Sequence, residues 1–259
     1  MASSTIVGMR RNRIMEILGA KGEATVEELS AELEVSEVTI RRDLDRLQAS
    51  GLVLRRHGGA LAVPPNPEIL PEKVLAEKDI TNIEEKRRIA LAALTLLSSD
   101  DILFMNSGST ILFLMRAIRD LRVRIITNNA AAIDQKLDPS IDLMMLGGEY
   151  REQSRSLVGE FALNTLKEIW SNHTFLGTNG VSIERGLTTS VYQECSVNQA
   201  MVQNTHGKVI VLADWSKMDK VSNFVSLPIQ VVDIIVTDDK CPQEFVQRLR
   251  GEGIEVIIA

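Results

Sequence analysis

Near the N-terminus, Ser36-Glu37-Val38-Thr39-Ile40-Arg41-Arg42-Asp43-Leu44 carries side chains suited to reading a nucleic-acid groove. Ser36 can cap a helix with its hydroxyl, which accepts from an otherwise unpaired amide of the first turn. Ile40, Leu44 and Leu47 follow at helical spacing and form one apolar stripe. At ~100° per residue, Val38 and Arg42 point away from that stripe, with Thr39, Arg41 and Arg46 on its flanks. Such a face offers guanidinium groups to phosphates or guanine edges, and the methyls of Val38 and Thr39 to thymine. The spacing predicts a DNA-reading helix.

A second set of chemistry-bearing residues recurs where short apolar runs end. Asn106-Ser107-Gly108-Ser109-Thr110 follows one run, and Thr127-Asn128-Asn129 the next. Gly147-Gly148, with Arg151 close behind, follows a third, and Thr178-Asn179-Gly180 a fourth. Small hydroxyl-rich turns that open a helix present bare amides to an anion. Glycines let a ligand approach the backbone, and an arginine can grip an oxyanion with two donors. Together these ends fit a phosphorylated polyol or sugar.

The elements that must position these residues are legible from periodicity. Residues 10–21 place Ile14, Ile17 and Leu18 on one face and stop at Gly22. Thr25 caps a second short helix with Val26, Leu29 and Leu33 inward, and Glu28 completes a capping box. Residues 34–36 are a tight link into the arginine-bearing helix, so the order reads as a helix-turn-helix. Beyond Gly51, residues 52–54 run into Arg55-Arg56-His57-Gly58-Gly59, a strand pair with a basic tip that forms a wing. The predicted divisions are 1–62 for the DNA-binding module, 63–76 for a semi-rigid linker containing Pro64, Pro65, Pro67 and Pro71, and 77–259 for a second domain. In that domain, runs at 102–105, 123–127, 141–146, 174–177, 209–213, 232–237 and 254–258 read as strands. Helices are expected at 110–119, 130–137, 162–170, 194–204 and 242–250. Apolar strands alternating with helices predict an α/β domain with a mostly parallel, doubly covered sheet, whose ligands gather at the strands' carboxyl ends.

Composition agrees with this division. The 259 residues are 44% hydrophobic, ordinary for a globular chain with two cores. The net charge of −6 is unevenly placed: residues 1–62 hold 9 basic and 9 acidic residues, so the excess lies in the remainder. Positions 38–62 carry five Arg against two Asp, and DNA affinity follows the local charge rather than the total. The two cysteines, Cys195 and Cys241, lack a CxxC spacing, and no residue set marks a metal site, a cofactor or a catalytic thiol. The first residues lack the apolar core of a signal peptide, and runs such as 89–97 fall short of a membrane span. A cytoplasmic protein without a membrane partner is expected.

At these spacings Arg10, Ile14, Leu18, Ser36, Thr39, Ile40, Arg41, Arg42, Asp43 and Leu44 resemble the N-terminal signature of the DeoR family of bacterial transcription regulators. Residues 56–60, Arg-His-Gly-Gly-Ala, are similar to the end of that family's DNA-binding domain. Gly108-Ser109-Thr110, Thr127-Asn128-Asn129, Gly147-Gly148 with Arg151, Gly159, Gly186-Leu187-Thr188, Glu194 and Asp214-x-Ser216-Lys217 resemble landmarks of its effector domain. The resemblance implies a Rossmann-like effector domain similar to ribose-5-phosphate isomerase, which senses a phosphorylated sugar with Glu194 and Lys217 among its site residues. It also implies a repressor relieved by its ligand. Asn198 stands where the family commonly has lysine, implying less charge on the ligand or a different phosphate pose, and Glu77-Lys78 replaces Glu-Arg.

The expected partners are a double-stranded DNA operator and a phosphorylated sugar, bound by a homodimer or homotetramer that sets two winged helices on repeated half-sites. In this reading Val38, Thr39, Arg41 and Arg42 read bases, Arg46, Arg55 and Arg56 grip backbone phosphates, and Ser36 and His57 belong to the same DNA-binding set. The rival reading is a sugar-phosphate isomerase with Glu194 as base and Lys217 or Arg151 stabilising the oxyanion.

Overall fold

The computed structural model describes residues 10–11, 13–15, 17–18, 21–49, 53–56, 58–62, 69–70 and 75–259. The expected His57 tip and the linker prolines therefore lie outside the described residues. The chain divides into two compact units, Met1–Ile69 and Leu70–Ala259.

In the first unit the described residues within 10–21 are helical (α1), and the chain leaves them at Gly22, whose amide bonds the Leu18 carbonyl at 2.8 Å. Strand β1 (Glu23–Thr25), helix α2 (Val26–Glu32) and helix α3 (Glu37–Ala49) follow, then strands β2 (Val53–Arg56) and β3 (Gly59–Ala62). The capping box is present: Glu28 N–H donates to Thr25 Oγ1 at 3.1 Å, and Thr25 N–H to Glu28 Oε2 at 2.7 Å. Glu34 takes the left-handed conformation (φ 53°) in the turn between α2 and α3, where Ser30 Oγ donates to the Val35 carbonyl. Ile14, Leu18, Leu29, Ile40 and Leu44 are fully buried and form the core that the helical spacing required. The wing is the expected antiparallel pair of β2 and β3. The expectation omitted β1, which pairs with the other side of β3 to make a three-stranded sheet.

The second unit follows β4 (Ile69–Leu70). It opens with α4 (Leu75–Asp79), which begins within the residues read as linker because buried Leu75 belongs to this unit's core. Then come α5 (Ile83–Ala93), β5 (Ile102–Met105), α6 (Ser109–Ala117), β6 (Val123–Thr127), β7 (Ile141–Met145), β8 (Glu149–Arg151), β9 (Ser156–Val158) and α7 (Glu160–Lys167). Next are β10 (His173–Gly177), β11 (Gly180–Ser182), β12 (Gly186–Thr189), α8 (Tyr192–Gln203), β13 (Val209–Leu212), β14 (Val221–Ser222), β15 (Phe224–Leu227), β16 (Ile234–Thr237), α9 (Gln243–Gly251) and β17 (Glu255–Ile258). Seven strands form one parallel sheet in the order β17-β16-β13-β10-β5-β6-β7.

Alternation along each strand divides the core in two. Phe104, Ile126, Val211 and Ile235 face α7, α8 and α9, while Leu103, Met105, Ile125, Ile210 and Val236 face α5 and α6. The sheet is thus covered on both faces, as its apolar runs predicted. Two details differ from the sequence reading. Residues 130–134 form only a short 3-10 turn rather than a helix to 137. The small sheet β11-β12-β15 and the β8–β9 hairpin were not predicted, because β11 and β12 are buried throughout and show no alternation, and strands of three or four residues are too short to establish one. Among the described residues no helix is long and apolar enough to cross a membrane.

Candidate functional site

On α3 the side chains divide as the stripe dictated. Val38 is 58% exposed, Arg41, Arg42 and Arg46 are exposed, and Thr39 is half-buried. Ser36 caps the helix loosely, its Oγ 3.4 Å from Thr39 N–H and 2.9 Å from Thr39 Oγ1. Arg41 is paired with Glu37 one turn earlier at 2.6 Å, so it must leave that partner to meet a base. The feature that sequence reasoning left unassigned is the anchor beneath: Asp43, 2% exposed, accepts from Arg10 at 2.6 Å and Arg11 at 2.9 Å. This pair of ion bonds fixes α1 against α3 and so orients the exposed face. On the wing, Arg56 is exposed. Arg55 is turned inward, 3.5 Å from Asp45, with one guanidinium nitrogen buried without a partner. To grip a phosphate, Arg55 must leave that carboxylate.

In the second unit β5 and β10 are neighbours from which the chain winds outward in opposite directions. Such a switch point leaves a crevice outside the strand ends, and a cavity lies there. It is lined by Lys78, Lys86, Asn106, Ser107, Gly108, Ser109, Thr110, Ser154, Thr178, Asn179, Thr189, Glu194, Asn198, Asp214, Lys217 and Ser226, with Leu75, Leu176, Leu187 and Leu227 among its apolar members. Of the expected effector residues, the structure gathers Asn106, Ser107, Gly108, Ser109, Thr110, Glu194 and Lys217 on this wall.

One side of the cavity donates. Helix α6 begins at Ser109, and its N-cap, Gly108, has no side chain to occupy the first-turn amides (φ 152°). Those amides, the hydroxyls of Ser107, Ser109 and Thr110, and Lys78 and Lys217 line this side of the cavity, a donor set that suits an anion. Lys86 is 3% exposed and donates to the carbonyls of Lys78 and Thr81, locking the turn from α4 to α5 around the site. Asp214 accepts from Asn82 Nδ2 at 2.9 Å and Ser216 N–H at 3.0 Å, which holds the 3-10 turn that presents Lys217.

The other side accepts. Glu194, in the first turn of α8 and 9% exposed, takes the Ser156 hydroxyl on Oε1 at 2.9 Å and the Thr189 hydroxyl on Oε2 at 3.3 Å. Ser154 lies beside it.

Several expected ligand residues have other duties. Asn106 lines the cavity, but its amide is engaged: Nδ2 donates to the Gly177 carbonyl and Asn198 Oδ1, and Oδ1 accepts from Gly177 N–H at 2.7 Å. It joins the ends of β5 and β10. Asn198 continues the link to Ser226 at 3.0 Å, so it serves as a neutral floor. Thr127, Asn128 and Asn129 are fully buried and absent from the wall. Asn129 Nδ2 supports the Gly108 carbonyl at 3.2 Å, and Asn128 Nδ2 bonds Leu157. Gly147 and Gly148 do not reach the cavity, and neither does Gly180. A Cβ on Gly148 would stand 2.4 Å from the Val158 carbonyl, and one on Gly180 2.4 Å from the Lys220 carbonyl. Gly148 and Gly180 thus admit the backbone of neighbouring segments. Arg151 is also not among the lining residues, and it contacts one of them, Ser154, at 3.0 Å. Cys195 is buried, and burial followed by the Glu194 charge pushes its thiol up to about 12. Lys78, Lys86 and Ser154 were missed because they stand outside the strand-end clusters that the spacing marked.

A winged helix-turn-helix unit and an α/β unit with a donor-lined cavity define a DNA-binding regulator with a sensor domain. The pattern of the DeoR-like helix-turn-helix domain matches residues 10–65, and that of the DeoR C terminal sensor domain matches residues 81–239. The HTH-type transcriptional regulator GlpR of Haloferax volcanii is 30% identical over 249 residues, covering 96% of both chains. The putative aga operon transcriptional repressor of Escherichia coli O157:H7 is 32% identical over 252 residues, 96% of this chain and 93% of its own. The lactose phosphotransferase system repressor of Lactococcus lactis is 32% identical over 235 residues, 89% and 91% of the two chains. The chain belongs to the DeoR family of transcriptional regulators.

Proposed function

We propose that this protein is a repressor of a carbohydrate-utilisation operon whose grip on its operator changes when a phosphorylated sugar enters the cavity. The observation that carries this reading is the polarity of the cavity, with amides, hydroxyls and ammonium groups on one wall and the Glu194 carboxylate on the other. A phosphate ester of a polyol complements both walls at once, with its anion at α6 and its hydroxyls toward Glu194. Its relatives are named as regulators and repressors, which favours binding over isomerase turnover.

On the DNA side, Val38, Thr39, Arg41 and Arg42 face base edges, and Arg46 and Arg56 serve phosphates. Homo-oligomers present two such helices to repeated half-sites in the cytoplasm. Ligand shifts operator affinity by the ratio of its affinities for the two arrangements.

The test pairs the full-length protein with duplex from upstream of its own gene and titrates phosphorylated sugars. A ligand that raises the melting temperature should also release the DNA. Ser109→Asp, which sets a carboxylate among the α6 amides, should abolish release while operator binding stays near wild type. Enzyme-like turnover of pentose or hexose phosphates would overturn the reading, as would unaltered release by the Ser109→Asp variant.

A further inference from the structure

We propose that a hydroxyl relay from Arg151 through Ser154 and Ser156 makes the Glu194 wall accept hydrogen bonds only. The cavity then takes a phosphate ester whose far end is an alcohol and rejects one that ends in a carboxylate. This inference rests on the phosphorylated-sugar reading and adds the class of sugar.

The direction of every proton in the relay follows from the chemistry of its two ends. A guanidinium group donates and cannot accept, so in the 3.0 Å contact Arg151 Nη1 donates and Ser154 Oγ accepts. A carboxylate accepts, so in the 2.9 Å contact the Ser156 hydroxyl donates to Glu194 Oε1. Ser156 has a single proton. In the 2.8 Å contact between the two serines, Ser154 is therefore the donor. The order is Arg151 to Ser154 to Ser156 to Glu194, and Ser154, which lines the cavity, has no proton left for a ligand.

Thr189 lies against the other carboxylate oxygen: its Oγ1 accepts from Val191 N–H at 3.3 Å, and its hydroxyl is shared between Glu194 Oε2 at 3.3 Å and Asn179 Oδ1 at 3.4 Å. Each Glu194 oxygen keeps lone pairs beyond the hydroxyl it already holds. What faces a ligand at this end is a set of lone pairs on Ser154 and Glu194, and only a donor satisfies them.

Burial makes the discrimination sharp. Ser154 is 7%, Ser156 0% and Glu194 9% exposed, so water cannot insulate a second carboxylate from Glu194. A site built around a ligand hydroxyl penalises an analogue that leaves its polar groups unmatched. Arg151 touches no ligand in this scheme. It is a positioning residue that fixes the Ser154 rotamer from the β8–β9 hairpin.

The experiment uses the full-length protein and two matched pairs of probes: glycerol 3-phosphate against 3-phosphoglycerate, and glucitol 6-phosphate against 6-phosphogluconate, with inorganic phosphate as reference. Affinities come from calorimetry. In the wild type, the alcohol of at least one pair should bind about tenfold or more tightly than its acid. Ser156→Ala deprives Ser154 of its acceptor and lets it donate into the cavity, so the alcohol-to-acid ratio should fall to about threefold or less. Arg151→Met should lower the ratio in the same direction, and Arg151→Lys, which keeps a donor, should restore it. A merely structural role for Arg151 would lower both affinities and leave their ratio unchanged. Equal or tighter binding of the acids in the wild type overturns the inference alone, and so does an unchanged ratio in Ser156→Ala. If no probe of either pair binds, the phosphorylated-sugar reading falls with it.

Discussion

Arg42 and Glu194 both sit on helices, yet their surroundings are opposite. Arg42 projects into solvent from α3, whose other face is Ile40, Leu44 and Leu47. Glu194 lies nine-tenths buried on α8, and each of its oxygens already holds a hydroxyl. In the first unit a rigid apolar core displays charge outward, and the partner, DNA, completes the pairing. In the sensor unit the charges are inside and their pairing is largely complete before a ligand arrives. The lesson is that exposure identifies function in one unit, and unused hydrogen-bonding capacity identifies it in the other.

Asp43 tests the contrast most severely, since with Arg10 and Arg11 it forms a buried charge cluster beneath the displayed face of α3. Its removal leaves Arg10 and Arg11, with side chains 12% and 10% exposed, without their counter-ion. Asp43→Ala should lower stability by about 3 kcal/mol, read from the urea midpoint of the full chain. A loss under about 1 kcal/mol, the scale of a surface pair, would place Asp43 with the displayed charges.

Next in size is the division between Arg42 and Arg55. Arg42→Ala should weaken operator binding by about 1–3 kcal/mol and relax sequence preference at the position it contacts, measured by competition against base-substituted duplexes. Arg55→Ala should leave sequence preference intact and lower the melting temperature of the free protein, because Arg55 is held by Asp45. Similar losses of sequence preference in both variants would erase the distinction.

The smallest effects come from the two helix caps. Thr25 makes both bonds of its capping box at 3.1 Å or less, whereas Ser36 reaches Thr39 N–H at 3.4 Å. Thr25→Ala should therefore cost about 1 kcal/mol and Ser36→Ala about 0.5 kcal/mol. The reverse order, measured by thermal unfolding, would show that the Ser36–Thr39 hydroxyl contact at 2.9 Å matters more than the cap.

The sequence by itself determined the helix-turn-helix, the outward face of α3 and the places of the parallel strands along the chain. Helical spacing and near-continuous apolar runs report local geometry, and the 102–105 and 123–127 strands fall where their residues placed them. It also marked Ser107, Gly108, Ser109 and Thr110, because a hydroxyl-rich turn into a helix is a local anion site. Only the tertiary structure decided which polar residues face the cavity. Asn106, Asn128 and Arg151 looked equal to Ser109 as ligand residues, but Asn106 is bonded to Gly177 and Asn198, Asn128 to Leu157 and Arg151 to Ser154. Lys78 and Lys86 reach the same wall from α4 and α5, far from the strand ends in sequence. The physical reason is that a residue's type fixes how many hydrogen bonds it can make. Packing between distant segments fixes how many of them remain for a ligand.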